Sequence, residues 1–144
     1  MKVGIAGFGS IGKVVGEALD IGIENLTLSG VCGRNYDKTK QRISNLKFPP
    51  LIMPAQELAE KCEVIVECVP KAAFLEIAEP VLKLGKLLIT VSGAGILANP
   101  QVIDLAKNYG GRIILATGAL LGLDAVRAAA EGNLIEVKMI TRKP

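Results

Sequence analysis

The chain opens with a short apolar run, then a glycine motif, then an amphipathic helix pattern. The run leads from Val3 into Gly7-x-Gly9-x-x-Gly12. Apolar residues then recur with helical spacing at Ile11, Val14, Val15, Ala18 and Leu19. A strand, a glycine turn and a helix in this order predict main-chain amides and a positive helix end facing bound phosphates. An ordinary glycine-rich strand-to-helix turn is the alternative interpretation.

Each glycine of the motif has its own expected task. Gly7 permits the tight turn, Gly9 lets a pyrophosphate approach the backbone, and Gly12 lets the helix lie close to the sheet. The motif therefore predicts a dinucleotide-binding loop. Its candidate binding residues are Gly7, Phe8, Gly9, Ser10, Ile11 and Gly12.

Composition favours a parallel sheet covered by helices. Half of the 144 residues are hydrophobic but only 3% are aromatic, so aliphatic side chains must fill the core. Such a core is typical of a sheet buried on both faces. Strand and helix patterns alternate along the chain, which predicts an α/β fold with a Rossmann-type doubly wound parallel sheet over residues 1–121.

The bulk numbers argue against several other classes of protein. A net charge of +3 and few aromatic residues do not favour nucleic-acid binding. Cys32, Cys62 and Cys68 lack CxxC spacing and histidine is absent, so neither a metal site nor a disulfide framework is expected. The first residues run directly into a core strand and no apolar run has membrane length, so we expect a cytoplasmic protein without a signal peptide.

The last part of the chain has a different pattern. A helix is predicted from about residue 122 to 131, followed by a strand at 135–141 with alternating apolar and polar residues. Such a strand needs a partner sheet that this sequence does not encode. Residues 122–144 are therefore interpreted as the opening of an incomplete second α+β domain. The uncovered apolar side of Ile135, Val137 and Met139 predicts a dimer or a larger oligomer.

Four local features carry further expectations. Pro80 should kink or split the helix around it. Asn99 should cap the helix that begins at Pro100, and residues 92–95 should form a loop after the fifth strand. Glu67 lies inside an apolar strand, so it is either a candidate functional carboxylate or a residue at a strand edge or facing a partner.

A ligand of a doubly wound sheet lies across the carboxyl ends of its strands, so the loop after the second strand should meet the adenosine ribose. This loop contains Gly33, Arg34 and Asn35. The acid that usually binds the ribose 2′-hydroxyl of NAD is missing, since none occurs before Asp37. Arg34 would pair with a 2′-phosphate, stack on adenine, or remain a solvated surface side chain. The loop predicts that NADP binds at least as well as NAD.

Two further loops should flank the nicotinamide ribose and ring. Cys68 ends a strand beside the expected cofactor, so it is either a nucleophile or a small packed side chain. With no histidine to activate it, the packed role is favoured. The candidate residues of these loops are Cys68, Val69, Pro70, Ala73, Ser92, Gly93 and Ala94.

Several segments together resemble the L-aspartate dehydrogenase family. They are VGIAGFGSIG, GRN, VSGA, TGALLGLDA and TRKP, at residues 3–12, 33–35, 91–94, 117–125 and 141–144. The resemblance implies an NAD(P)-dependent enzyme that interconverts L-aspartate and oxaloacetate plus ammonia through an imine, with a role in NAD biosynthesis. It also implies a homodimer with catalysis in a second domain, and it adds Thr117 and Gly118 to the pocket.

The sequence departs from this family at the catalytic residue. The family's catalytic histidine has no counterpart here, so no catalytic residue is assigned, and negligible turnover is expected from this chain alone. Two other interpretations stay open. One is a stand-alone NAD(P)-binding module that senses redox state or docks on a catalytic chain. The other is a reductase of a related two-domain fold that acts on a different imine or aldehyde.

Overall fold

The computed structural model describes residues 1–116, 123–138 and 140. The strands are β1 (Lys2–Ala6), β2 (Thr27–Cys32), β3 (Leu51–Ile52), β4 (Val64–Glu67), β5 (Leu87–Thr90) and β6 (Arg112–Leu115). The helices are α1 (Ser10–Ile21), α2 (Tyr36–Ile43), α3 (Ala55–Lys61), α4 (Phe74–Lys83), α5 (Gly93–Ala98), α6 (Gln101–Tyr109) and α7 (Leu123–Ala129), with a 3₁₀ turn at Lys71–Ala73.

The strands form one parallel sheet in the order β3-β2-β1-β4-β5-β6. This order confirms the doubly wound Rossmann-type fold. The chain moves outward from β1 in one direction up to β3, then crosses back to β4 on the other side of β1. The direction reverses between β1 and β4, and ligands of such sheets bind at the carboxyl ends beside that point.

The core consists of two apolar layers, one on each face of the sheet. One layer includes Leu58, Phe74 and Leu82, from α3 and α4, against Ile65 and Leu88 of the sheet. The other packs residues of α1 and α2 against β1, β2 and β4. Successive strand residues point to opposite faces, so these strands contribute to both layers. Within the described ranges, no helix is long and apolar enough to cross a membrane.

Helix α4 continues through Pro80, so the expected split does not occur. Proline removes the hydrogen bond that its amide would otherwise donate to the carbonyl four residues earlier. That carbonyl belongs to Glu76, an exposed residue. Buried side chains on both sides of the proline, including Ile77 and Val81, hold the helix against the sheet. Tertiary packing here overrides the local preference.

The segment after β5 also differs from its prediction. Residues 93–98 form α5, whereas residues 92–95 were expected to be a loop. Asn99 does not cap the following helix, because its side-chain amide donates a hydrogen bond back to the carbonyl of Gly95 over 2.9 Å. Pro100 occupies the N-cap position of α6. Two helices therefore meet where one loop and one helix were predicted.

The predicted strand at 135–141 is wrong where the structure describes it, because residues 133–138 have no regular secondary structure. A strand requires a neighbour for its backbone hydrogen bonds, and no neighbour is present among the described residues. Ile135 is 95% exposed and Val137 is 55% exposed. Met139 and Thr141 of the predicted strand lie outside the described part of the chain. Thr117 and Gly118 of the expected pocket also lie outside it.

Candidate functional site

The turn after β1 leaves space for a ligand only at its middle glycine. Gly7 has a φ of +89°, and a Cβ there would lie 2.6 Å from the carbonyl oxygen of Cys68. A Cβ on Gly12 would overlap the carbonyl oxygen of Gly7. A Cβ on Gly9 would meet no heavy atom within 4 Å. The outer glycines therefore let the backbone close on itself, and the middle one leaves an open surface.

The amino end of α1 lies beside that open surface. Gly9 is the N-cap residue and supplies no side-chain cap. In the described part of the chain, no acceptor is bonded to the N–H groups of Ser10, Ile11 or Gly12, whereas the Lys13 N–H is bonded to the Gly9 carbonyl over 2.9 Å. Free amides and the helix dipole favour an anion at this position. The turn therefore fits the pyrophosphate of a dinucleotide.

Phe8 contributes to this turn only through its main chain. Its side chain is 3% exposed and lies in the apolar layer under α1. A Cβ on Gly16 would lie 2.5 Å from the Phe8 ring, so helix and ring are in close contact. The ring therefore anchors the turn to the helix.

The loop after β2 adjoins the glycine turn. The Gly7 N–H donates to the carbonyl of Cys32 over 2.8 Å. Asn35 caps α2, since its side-chain oxygen accepts from the Lys38 N–H over 2.9 Å. Arg34 is exposed between these two points. The structure thus places Arg34 beside the turn and gives the Asn35 side chain a role in the helix.

A second arginine contacts the glycine turn, and the sequence pattern did not predict this contact. The guanidinium of Arg42, on α2, donates to the Phe8 carbonyl over 2.8 Å. Arg42 follows the buried Thr39 by three residues, and this helical spacing puts both on one side of α2. That spacing is the signal that could have identified it. One guanidinium therefore contacts the turn, and Arg34 follows the strand beside it.

The loop after β4 packs against the other side of the turn. The Cys68 N–H donates to the Ala6 carbonyl over 2.8 Å. Burial, and to a smaller extent the nearby Glu67 carboxylate, raises the pKa of the Cys68 thiol to about 11. The thiol is therefore protonated at neutral pH and is a poor nucleophile, which favours a packing role.

Glu67 itself is not at a sheet edge, contrary to the sequence interpretation. It ends β4, lies opposite Thr90 on β5 and is fully buried. Its carboxylate accepts hydrogen bonds from the Val69 N–H and from the hydroxyls of Thr90 and Ser92. The sequence pattern could show an acid in an apolar strand but could not show these partners. The carboxylate connects the loops after β4 and β5.

All four candidate loops for which the structure gives positions therefore lie along one edge of the sheet. Residues 7–12 are central, residues 33–35 lie on the β2 side, and residues 68–73 and 92–94 lie on the β4 and β5 side. Thr117 and Gly118 fall outside the described residues. Within the described part of the chain, no group of three or more histidine, cysteine, aspartate or glutamate residues could hold a metal ion.

A comparison with protein families agrees with this geometry. Residues 7–116 match the family described as homoserine dehydrogenase, NAD binding domain. The chain belongs to this family. The matched segment extends from the first glycine of the turn to the end of the described sheet. The match supports NAD or NADP as the cofactor.

Curated relatives are similar along the whole chain. An L-aspartate dehydrogenase of Bradyrhizobium diazoefficiens is 47% identical over 144 residues, which are 100% of this chain and 51% of the relative. One from Methanocaldococcus jannaschii is 36% identical, with 100% of this chain and 55% of the relative covered. The resemblance to L-aspartate dehydrogenases is therefore confirmed, and the chain spans about half the length of these relatives.

Solved structures share the fold at low sequence identity. A probable dehydrogenase from Thermotoga maritima has a TM-score of 0.74 at 18% identity, with 91% of this chain and 41% of that chain covered. A scyllo-inositol dehydrogenase from Lactobacillus casei, with bound NAD(H) and scyllo-inositol, has a TM-score of 0.65 at 16% identity and the same coverage of 91% and 41%. These likenesses support the architecture alone.

Proposed function

We propose that the chain is the NAD(P)-binding half of an oxidoreductase that interconverts L-aspartate with oxaloacetate and ammonia. The observation that carries the proposal is a match to L-aspartate dehydrogenases over the whole of this chain, joined to a glycine turn with open space at Gly9. The identities of 18% and 16% to the two solved structures support a fold but no substrate. The amino acid is therefore inferred from the curated relatives.

The residues of this chain would hold and orient the cofactor. Amides of residues 9–12 would bind the pyrophosphate, and Arg34 would lie near the adenosine ribose. Residues 68–70, Ala73 and residues 92–94 would flank the nicotinamide. The bound cofactor would supply the hydride acceptor or donor of the reaction. No described residue is assigned as a catalytic acid or base.

Calorimetric titration of the 144-residue chain with NADH and NADPH tests this proposal. We expect saturable binding of at least one of them, because the turn is already formed. We also expect negligible turnover of aspartate, or of oxaloacetate with ammonia. Absence of binding to both cofactors would contradict the cofactor site. Rapid turnover would contradict the assignment of catalysis to residues outside this chain.

We propose four related properties on the same basis. Residues 122–144 would open a second domain, supported by the exposed apolar side chains of Ile135 and Val137. Those side chains also support assembly into dimers. Three free cysteines support a reducing cytoplasmic location, where the enzyme would contribute to NAD biosynthesis.

A second candidate function is a stand-alone NAD(P)-binding module. The observation that favours it is the complete order of six parallel strands with apolar layers on both faces. The DNA downstream distinguishes the two candidates. An in-frame continuation that encodes a second domain supports the dehydrogenase, and a separate catalytic gene beside this one supports the module.

Arg34→Glu is expected to lower the affinity for NADPH by about tenfold to a hundredfold and to change that for NADH much less. The reason is that a carboxylate at this position repels a 2′-phosphate, whereas an arginine pairs with it. Calorimetric titration with both cofactors measures the change. Arg112→Glu makes the same change of charge at the start of β6, on the edge of the sheet opposite the turn, and is the control. If Arg34→Glu left the ratio of the NADPH and NADH affinities unchanged, Arg34 would not bind the 2′-phosphate, and Arg42 would be the better candidate for that contact.

A further inference from the structure

The strongest unassigned feature is the buried carboxylate at the end of β4. We propose that Glu67 is a positioning residue that holds the two loops beside the nicotinamide end of the cofactor site. This inference rests on the proposed cofactor site and deepens it. Glu67 is not expected to contact the reacting atoms.

The position of Glu67 makes its charge costly unless it is fully hydrogen-bonded. It is 0% exposed and lies on the fourth strand, between β1 and β5. Ile65, two residues earlier on the same face, belongs to the apolar layer, and so does Leu88 on β5. Burial of a carboxylate in such surroundings is unfavourable without compensating donors. An apolar residue would fill the position at lower cost, so the carboxylate needs another explanation.

The hydrogen bonds supply that explanation. One carboxylate oxygen, Oε1, accepts from the Val69 N–H over 2.7 Å and from the Ser92 hydroxyl over 3.0 Å. The other oxygen, Oε2, accepts from the Thr90 hydroxyl. The Thr90 oxygen also accepts from the Ser92 N–H over 2.9 Å, so its own hydrogen is directed to Glu67. Every donor comes from the carboxyl ends of β4 and β5.

The network therefore ties together the two segments that would flank the nicotinamide. Val69 follows β4 by two residues and Ser92 follows β5 by two residues. The Ser92 hydroxyl oxygen also lies 3.3 Å from the Val69 carbonyl oxygen, so the two loops meet directly. The glycine turn contacts Cys32, Arg42 and the main chain of Cys68, and none of these contacts involves the Glu67 carboxylate. Loss of the carboxylate should disturb the nicotinamide half of the site and spare the ADP-ribose half.

Glu67→Gln tests this division, with affinities for NADH and ADP-ribose measured by calorimetry. Glutamine keeps the size of the side chain, but its amide nitrogen cannot accept a hydrogen bond from one of the three donors. We expect the NADH affinity to fall by about tenfold or more while the ADP-ribose affinity changes by less than about twofold. NADPH replaces NADH if the wild type binds it more tightly.

Glu63→Gln is the matched control. Glu63 immediately precedes β4, is exposed, and accepts from the Lys2 N–H at the opposite end of the sheet. It should leave both affinities unchanged. Equal losses for NADH and ADP-ribose in Glu67→Gln, or no loss for either, would overturn the inference.

Thr90→Val gives a second test if Glu67→Gln does not fold. It removes a hydroxyl that donates to the Glu67 carboxylate, keeps the branched shape of the side chain, and lies outside the residues expected to contact the cofactor. The expected result is again a selective loss of NADH affinity, and unchanged affinity for NADH would contradict the positioning role. If the wild-type chain binds neither NADH nor ADP-ribose, the proposed cofactor site fails. If it binds both and the variants do not change their ratio, only the role of Glu67 fails.

Discussion

Replacement of Gly9 by valine is expected to lower the affinity for NADH and NADPH by at least about a hundredfold, on the order of 3 kcal/mol. The folded chain should keep its stability within about 0.5 kcal/mol, because a Cβ at this position meets no other atom within 4 Å. The valine side chain would instead occupy the space through which a pyrophosphate approaches the backbone. Calorimetry and urea unfolding measure the two quantities separately.

Gly132→Val is the control for this experiment. A Cβ at Gly132 would make only an ordinary contact of 3.6 Å with the Ala129 carbonyl, after α7. This control should retain both stability and cofactor affinity. Normal binding by the Gly9→Val variant would show that the dinucleotide does not cross the amino end of α1, and the proposed site would then be wrong.

Unlike Gly9→Val, Gly7→Ala should lower the folding stability, by about 2–4 kcal/mol. Its φ of +89° disfavours any side chain, and the added methyl group would lie 2.6 Å from the Cys68 carbonyl oxygen. Relief of that overlap requires the turn and the loop after β4 to separate. Urea unfolding followed by circular dichroism measures the loss.

Gly110→Ala separates the effect of a positive φ from the effect of a close contact. Gly110 has a φ of +72°, but a Cβ there would meet no atom within 4 Å. Only the conformational penalty applies, so we expect a loss of about 1 kcal/mol. If Gly7→Ala were no more destabilising than Gly110→Ala, the close contact between Gly7 and Cys68 would have little energetic importance.

The sequence predicted the sheet and the glycine turn because both depend on local patterns. Periodicity separates strands from helices, and the spacing of Gly7, Gly9 and Gly12 follows from the shape of one turn. The two apolar layers follow from the same patterns, because aliphatic strands between helices leave few other arrangements.

The rest depends on contacts between distant residues. Glu67 resembled an edge residue because its partners, Thr90 and Ser92, lie more than twenty positions away. Pro80 was expected to break a helix that tertiary packing preserves. Arg42 was not predicted because its acceptor, the Phe8 carbonyl, lies 34 positions earlier in the chain.

The central place of β1 has a consequence for how the molecule assembles. This strand pairs with β2 on one side and with β4 on the other. Val3 is paired with Val64, so this neighbour becomes available only after some sixty further residues have been synthesised. Such distant pairing is slow compared with helix formation. A chaperone that shields β1 until β4 has been synthesised would therefore be expected to raise the folding yield.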